Sequence, residues 1–232
     1  MKHPVISWAL TSTVLAAAHG APLAATPVVT TTSGTTPFAV SGIDLLQTSL
    51  AGAPVVVGQF TGYGTGGEAV LRDGNAGGAQ ATDYTGTALV VSDSTVTYTL
   101  DLGVSPQGYN ITAIETFGAW DDGRDQQQIS ISYATVADPE AFITLTAYGF
   151  DPIGDFSRVR VTPGSGDAFL MQNVYAIRFS FPNQENSASG YRELDVFGVS
   201  AVPEPQRWGL LAAGLGLIGL WARRGAAARR TT

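Results

Sequence analysis

The sequence predicts an all-β protein, an antiparallel β-sandwich of the jelly-roll type, between two apolar ends. Three observations predict it: apolar and polar residues alternate in short runs, turn-forming residues separate the runs, and no long helical pattern appears between residues 26 and 202. The strand–helix alternation that marks a parallel sheet is missing from the sequence. We therefore expect a sandwich over residues 38–200, an N-terminal signal helix before it and one C-terminal transmembrane helix after it.

Short alternating runs indicate the individual strands. They are TVTYTLDL (95–102), ISISY (129–133), RVRV (158–161), NVYAIRFSF (173–181) and YRELDVFGV (191–199). In the last run Glu193 and Asp195 alternate with apolar residues, which predicts a half-buried edge or terminal strand with both acids in water. Ahead of the first run, GIDLLQTSLAG (42–52) predicts one or two helical turns, and APVVVGQF (53–60) predicts a strand.

The N-terminus has the pattern of a secretory signal peptide over residues 1–25. Lys2 supplies a weak positive start, residues 5–18 are mostly apolar, and small side chains allow cleavage after Ala18 or Ala25. A buried N-terminal helix is the alternative. The Thr-rich stretch 26–37 that follows predicts an exposed, extended lead-in.

The C-terminus has the pattern of a membrane anchor. Residues 208–222 carry no charge and no proline, and as a helix they reach about 22 Å against a hydrocarbon core of about 30 Å. This is a short span, which a thinned bilayer or snorkelling side chains accommodate. The arginines of the basic tail, 223–232, place that end in the cytoplasm by the positive-inside rule. A buried core helix is the alternative.

The composition of residues 26–202 excludes several kinds of chemistry. This segment has thirteen Asp and five Glu against six Arg, a net charge of −12, which disfavours binding to nucleic acid. It contains no His, Cys or Lys, because the chain has no Cys and because His3, His19 and Lys2 all lie in the signal. Catalytic triads, thiol nucleophiles, Schiff bases and zinc sites with His or Cys ligands are thereby excluded. We expect a non-enzyme, with hard cations such as Ca²⁺ as the metals its oxygen ligands suit.

The segment FGAWDDGRD (117–125) is the candidate ligand-binding site. Trp120, the only tryptophan of residues 26–202, stands beside Asp121, Asp122 and Asp125 at the end of a strand. An exposed aromatic ring stacks on a sugar while carboxylates accept hydrogen bonds from its hydroxyl groups. The alternative, which we favour for a lone large aromatic residue, is that Trp120 packs in the core.

Two carboxylate groups offer the only candidates for glycoside hydrolysis. Asp151 and Asp155 in FDPIGDF could pair with Asp121 or Asp122 as acid and base or nucleophile. The simpler explanation is that these acids are ordinary polar residues in surface turns.

The loop LRDGNAGGAQATDY (71–84) has two interpretations. Asp73, Asn75 and Thr82 suit tight turns, since Asp-Gly and Asn tolerate positive φ. Their oxygens also suit Ca²⁺, although the spacing is not that of an EF-hand.

The tail resembles the PEP-CTERM sorting signal of Gram-negative bacteria. The motif Val202, Pro203, Glu204, Pro205 lies in a linker over residues 201–207, and the apolar run and the pair Arg223 and Arg224 follow in order. The resemblance implies recognition by a membrane-bound, exosortase-type processing enzyme. It also implies delivery through the secretory pathway to the cell surface or extracellular matrix.

Residues 68–199 resemble the galactose-binding-like jelly roll of the discoidin and coagulation-factor C-type group. The segments that carry the resemblance are DGN with Thr82, YTLDLG, ITAIETFGAWDDGRD, ISISYAT, NVYAIRFSF and YRELDVFG. The resemblance implies a structural Ca²⁺ held by Asp73, Asn75, Thr82 and Glu193. It also implies binding of sugars, lipids or proteins at loop tips. We expect a surface protein that binds matrix polysaccharide or has a structural part in the matrix. The alternatives are a carboxylate-based glycan hydrolase and a passive surface protein.

Overall fold

A computed structural model describes residues 25–121 and 123–201. The predicted signal peptide, Asp122, the motif from Val202 to Pro205, the predicted helix over 208–222 and the basic tail lie outside these residues, apart from Ala25 at the end of the predicted signal. Within the described residues, no helix is long and apolar enough to cross a membrane.

The described residues form ten strands, one short α-helix and three 3₁₀ helices (Glu68–Arg72, Tyr84–Gly86 and Glu185–Ser187), and all the described strand pairs are antiparallel. In chain order the strands and the α-helix are β1 (Pro27–Gly34), α1 (Leu45–Thr48), β2 (Val55–Val57), β3 (Ala88–Val91), β4 (Ser94–Thr99), β5 (Tyr109–Ala119), β6 (Gln127–Thr135), β7 (Asp138–Phe150), β8 (Phe156–Pro163), β9 (Met171–Phe181) and β10 (Ala188–Ser200). The all-β expectation is confirmed, and every alternating run of the sequence falls on a strand.

Two layers form the sandwich. One layer has the strand order β3-β10-β5-β8-β1, and the other has the order β7-β6-β9-β4-β2. The layers join where the start of β5 pairs with the start of β9. Inward-facing side chains of both layers, among them Tyr98, Ile114, Phe179 and Leu194, pack into one buried core. Burial of this apolar surface is the main stabilising contribution to the fold.

The lead-in expected over residues 26–37 differs from the structure. Residues 27–34 are extended and mostly exposed or half-buried, as the Thr-rich sequence predicts, but they pair along the whole of β8 as the outer strand β1. The sandwich therefore begins at Pro27 and not at residue 38. The consecutive threonines of β1 show no alternation of polar and apolar residues, because an outer strand can leave polar side chains on both faces in water.

The expectation for the last strand is wrong. Strand β10 lies inside its layer between β3 and β5, and Glu193 and Asp195 are 0% and 1% exposed. The helix α1 and the segment Glu68–Arg72 pack over it and exclude water from its acids. A bulge between Tyr191 and Glu193 also interrupts the pairing with β5, with Arg192 as the extra residue.

One end of the sandwich carries a group of loops, and the other carries the first and last residues of its strands. At one end lie the loops that follow β1 and β5 and precede β8 and β10, because Gly34 and Ala119 both pair with Phe156. At the other end β1 begins and β10 ends, since Pro27 pairs with Pro163 and Ser200 pairs with Tyr109. We call the first the loop end and the second the terminal end.

Candidate functional site at the loop end

An open cleft of about 370 Å³ lies at the loop end of the sandwich. Four segments meet there: the residue after β1, the glycine-rich loop before β3, the start of the loop after β5, and the residues at the start of β8. The lining residues are Thr35, Ala79, Gln80, Ala81, Thr82, Asp121, Asp155 and Phe156. The cleft thus offers hydroxyl, amide and carboxylate groups above an apolar floor, a composition that suits a polar ligand with an apolar face.

Three aromatic rings stand beside this cleft. The ring of Tyr84 stacks on Trp120 with 4.5 Å between centroids, and Tyr63 meets Trp120 edge-on at 6.4 Å. Trp120 is buried, whereas 71% of Tyr63 is exposed. The backbone of Tyr63 has φ of 52°, a left-handed conformation that is uncommon for tyrosine and that its loop holds in place. We call Tyr63, Tyr84 and Trp120 the aromatic ledge.

Hydrogen bonds join the ledge to the cleft. The hydroxyl of Tyr84 donates to Asp121 Oδ1 at 2.8 Å, and the backbone N–H of Trp120 donates to the carbonyl of Asp155 at 3.2 Å. Asp121 and Asp155 both line the cleft. The guanidinium of Arg124 also lies 5.7 Å from the centre of the Tyr63 ring, a cation–π contact. The ledge and the cleft are therefore one continuous surface.

Carboxyl groups give the loop end a concentrated negative charge. Burial, together with the nearby carboxylates of Glu185, Asp151 and Asp155, raises the pKa of Asp125 to about 6. A carboxyl with such a pKa is partly protonated in weakly acidic solution and can then donate as well as accept a hydrogen bond.

A buried arginine fixes the loop that forms one wall of the cleft. Arg192, 2% exposed, donates from Nη1 to the carbonyls of Ala76 and Gly78 at 2.7 and 2.6 Å, and from Nη2 to the carbonyl of Gln80 at 2.7 Å. Burial lowers the pKa of Arg192. Gly77 has φ of 72°, and a Cβ there would lie 2.8 Å from Nη1, so only glycine fits under this clamp.

The structure places the predicted ligand-binding residues as follows. Trp120 is buried in a cluster with Leu89 and Ala188, so it packs in the core as the favoured interpretation predicts. The other interpretation, an exposed Trp120 that stacks on a sugar, is corrected because Tyr84 covers one face of the indole ring. Asp121 lines the cleft, Asp125 lies in the acidic group beside it, and Asp122 is outside the described residues.

The residues that the resemblance assigns to Ca²⁺ lie in the glycine-rich loop before β3 and on β10. Asp73 and Glu193 are close, since Gly74 N–H donates to Glu193 Oε2 at 3.1 Å and Asp73 raises the pKa of Glu193. Asn75 Oδ1 instead accepts from Gly77 N–H at 3.0 Å, and Thr82 lines the cleft. Within residues 25–121 and 123–201, no three Asp, Glu, His or Cys side chains are arranged to hold a metal ion. Binding of Ca²⁺ by Asp73, Asn75, Thr82 and Glu193 stays a prediction.

Sequence reasoning missed the residues that shape this end. Tyr63 lies in the glycine-rich segment TGYGTGG, which shows no alternation of apolar and polar residues, and Arg192 lies in a strand whose alternation gives no sign of the bulge. The candidate carboxylates for hydrolysis do lie together, since Asp121 and Asp155 line one cleft and Asp151 lies near Asp125. A glycine-flanked tyrosine was the one available signal for an exposed aromatic contact.

No model of a protein family matches the chain, and no curated protein matches it. Similar solved structures include the CBM32-1 and CBM32-2 domains of Clostridium perfringens ZmpB, with 8% identity, a TM-score of 0.43, and coverage of 65% of this chain and 34% of that one. A pectin-binding carbohydrate-binding module has 13% identity, a TM-score of 0.39, and coverage of 67% and 96%. The family 32 carbohydrate-binding module of C. perfringens NanJ in complex with galactose has 8% identity, a TM-score of 0.40, and coverage of 62% and 92%. This chain spans about a third of the length of the first of these structures. The ligands in these names are those of the matched proteins.

Proposed function

We propose that the loop end binds a polysaccharide, with the aromatic ledge and the cleft as its two contact surfaces. The observation that carries the proposal is Tyr63, a residue that is 71% exposed and whose ring meets Trp120 edge-on. An exposed aromatic ring leaves apolar surface in contact with water, which is unfavourable in the free protein. The same ring provides a flat apolar surface for a sugar ring.

The groups beside Tyr63 supply the polar half of this recognition. Asp121 and Asp155 accept hydrogen bonds from sugar hydroxyls, and Gln80 and Thr82 both donate and accept. Because Tyr84 and the Arg192 clamp hold Asp121 and the Gln80 loop in place, little conformational entropy is lost when a ligand binds.

The charge of the site selects a class of glycan. Asp121, Asp125 and Asp155 bring negative charge to the same cleft, and residues 26–202 have a net charge of −12. A uronic-acid polymer is repelled by this field, whereas neutral and amino sugars are not. We infer that the ligand is a neutral or amino-sugar polysaccharide.

A pull-down with insoluble polysaccharides tests this proposal. The full-length protein is expected to bind galactan or mannan and not polygalacturonate. Tyr63→Ala and Asp121→Asn are each expected to weaken binding about tenfold, which corresponds to about 1.4 kcal/mol. The matched controls are Val104→Ala and Asp167→Asn, since both residues are exposed in loops at the terminal end. Equal losses in site and control variants, or no binding of any polymer, would contradict the proposal.

Glycoside hydrolysis is a second candidate. It is favoured by one observation, that Asp121 and Asp155 line the same cleft beside Asp125 with its raised pKa. Release of reducing sugar from the bound polymer distinguishes the two functions, because a binding protein retains its ligand unchanged. The expectation of a non-enzyme stays a prediction until this is measured.

The cellular location of the protein can be inferred from the sequence of its tail. We propose that the protein is exported and sorted to the cell surface through the segment from Val202 onward, which an exosortase-type enzyme would process. The order of the Pro-Glu-Pro motif, apolar run and arginines supports this proposal.

A further inference from the structure

A small apolar pocket lies next to the cleft at the loop end. Its apolar lining comes from the segment after β1, the glycine-rich loop, β5 and β8, and consists of Pro37, Phe38, Val40, Ala76, Phe117 and Phe156. The volume of the pocket is about 10 Å³, which is about the space that one water-sized group needs. The pocket therefore excludes a sugar ring and admits a single small substituent.

The pocket and the cleft share a wall. Phe156 lines both of them, and Arg192, which lines the pocket, donates to the carbonyl of Gln80, which lines the cleft. Two segments also contribute to both cavities, namely residues 35 and 37 after β1 and residues 76–82 of the glycine-rich loop. A substituent on a sugar in the cleft is therefore adjacent to the pocket.

One polar side chain at the pocket has an unpaired donor. Arg192 donates from both Nη atoms to carbonyls of the glycine-rich loop, but its Nε is buried and, among the described residues, has no hydrogen-bond partner. Since Arg192 is 2% exposed, water at the protein surface does not reach this group. Buried donors are almost always paired, so an unpaired N–H at a cavity points to an acceptor that the described part of the chain does not supply.

We propose that this pocket is the subsite for an N-acetyl group, so that the loop end prefers polysaccharides of N-acetylated amino sugars. This inference rests on the proposed function of the loop end. An acetamido group has one small apolar methyl group and one carbonyl oxygen that accepts a hydrogen bond. The methyl group packs against Phe38, Phe117 and Phe156. The carbonyl oxygen accepts from Arg192 Nε–H, a charge-assisted hydrogen bond.

Other substituents of common sugars fit this pocket less well. A hydroxyl group needs partners for its hydrogen and its lone pairs, and the apolar side chains here provide neither. A free ammonium group is repelled by the guanidinium of Arg192 and has no lone pair to accept its proton. A carboxylate pairs with a guanidinium, but it has no methyl group for the aromatic wall, and the negative charge of the cleft opposes its approach.

Isothermal titration calorimetry of the full-length protein tests the proposal with two sugars that differ at one position of each ring. Tri-N-acetylchitotriose and cellotriose have the same β-1,4-linked backbone, and an acetamido group in the first replaces a hydroxyl group in the second. We expect Kd to be at least about tenfold lower for the acetylated sugar, because the buried methyl group and the charge-assisted hydrogen bond both add to affinity. N-acetylgalactosamine and galactose should differ in the same direction.

Filling the pocket should remove this preference and leave the rest of the site unchanged. In Ala76→Val the added methyl groups occupy the pocket, so Kd for the acetylated sugar should rise to that for cellotriose, and Kd for cellotriose should stay the same. Arg192→Lys keeps the positive charge but removes the Nε–H donor, and it should also reduce the preference. The matched control is Ala137→Val, at an exposed alanine in the turn between β6 and β7, which should keep the preference.

Three results would overturn the proposal. If the wild type binds both trisaccharides equally and Tyr63→Ala weakens both, the loop end binds glycans as proposed above, but the pocket holds only water. If Ala76→Val keeps the preference, the acetyl group is recognised elsewhere. If no sugar or polymer binds, this inference fails together with the proposed function. Should Arg192→Lys fail to fold, Ala76→Val decides the outcome.

Discussion

The wild-type protein should be less stable at neutral pH than the variant Asp125→Asn. Burial, together with Glu185, Asp151 and Asp155, raises the pKa of this carboxyl from 3.8 to about 6. Because the folded pKa is the higher one, the native state binds the proton more tightly than the unfolded state does. The stability of the fold with respect to this group is therefore greatest below pH ~4 and falls as the pH rises to about 6, above which it is constant.

The size of the effect follows from the shift. Two pKa units correspond to about 3 kcal/mol when the group is fully ionised, at about 1.36 kcal/mol per unit. Asp125 retains contact with solvent, which screens the interaction and reduces the expected value to about 1–2 kcal/mol. Asp125→Asn keeps the shape of the side chain and removes the charge, so the variant should gain about 1–2 kcal/mol at pH 7.5 and about a third of that at pH 4.5, where the group is already ionised in most unfolded chains.

Urea denaturation at the two pH values measures this gain. Asp167→Asn, at an exposed site at the terminal end, is the matched control and should give the same small difference at both pH values. A gain from Asp125→Asn that does not change between pH 4.5 and 7.5, or a loss at pH 7.5, would refute the reasoning from burial and neighbouring charge.

Two other predictions concern the ledge and the tail. Trp120→Ala should lower the free energy of unfolding by about 3–5 kcal/mol in urea denaturation, because it leaves a cavity beneath Tyr84; a loss below 1 kcal/mol would mean that the ring is not packed as described. Deletion of residues 202–232 should release the protein from the cell surface into the medium without changing its melting temperature, as fractionation and circular dichroism would show; unchanged surface retention would disprove sorting by the tail.

Strands with one buried face could be predicted from the sequence, and strands without one could not. The residues of β4, β6 and β9 alternate because one face packs in the core and the other meets water or a loop. Strand β7 is largely exposed on both faces, and the second half of β5 is buried on both, so neither shows a period of two. The burial of Glu193 and Asp195 could not be predicted either, because α1 and the Glu68–Arg72 segment that cover them are distant in sequence.

The residues of the candidate site also differ in whether their positions could be predicted from the sequence. Asp121 and Trp120 are adjacent in sequence and follow a strand, so a loop-tip position could be predicted for them. The stacking of Tyr84 and the edge contact of Tyr63 depend on loops that are 36 and 57 residues away along the chain, and periodicity gives no information about such contacts.

The placement of the strand ends has a mechanical consequence. Strand β5 has eleven residues and spans about 35 Å, with the ledge near its last residue and Ser200 paired with its first. Any support attached after Ser200 therefore pulls on one pole of the sandwich while a polymer bound at the ledge pulls on the other. Tension between the two runs along strands of the β5 layer and loads many backbone hydrogen bonds in shear at once. If the protein is anchored after Ser200 and binds a polymer at the ledge, as proposed above, the sheet itself carries the stretching load between the two attachments.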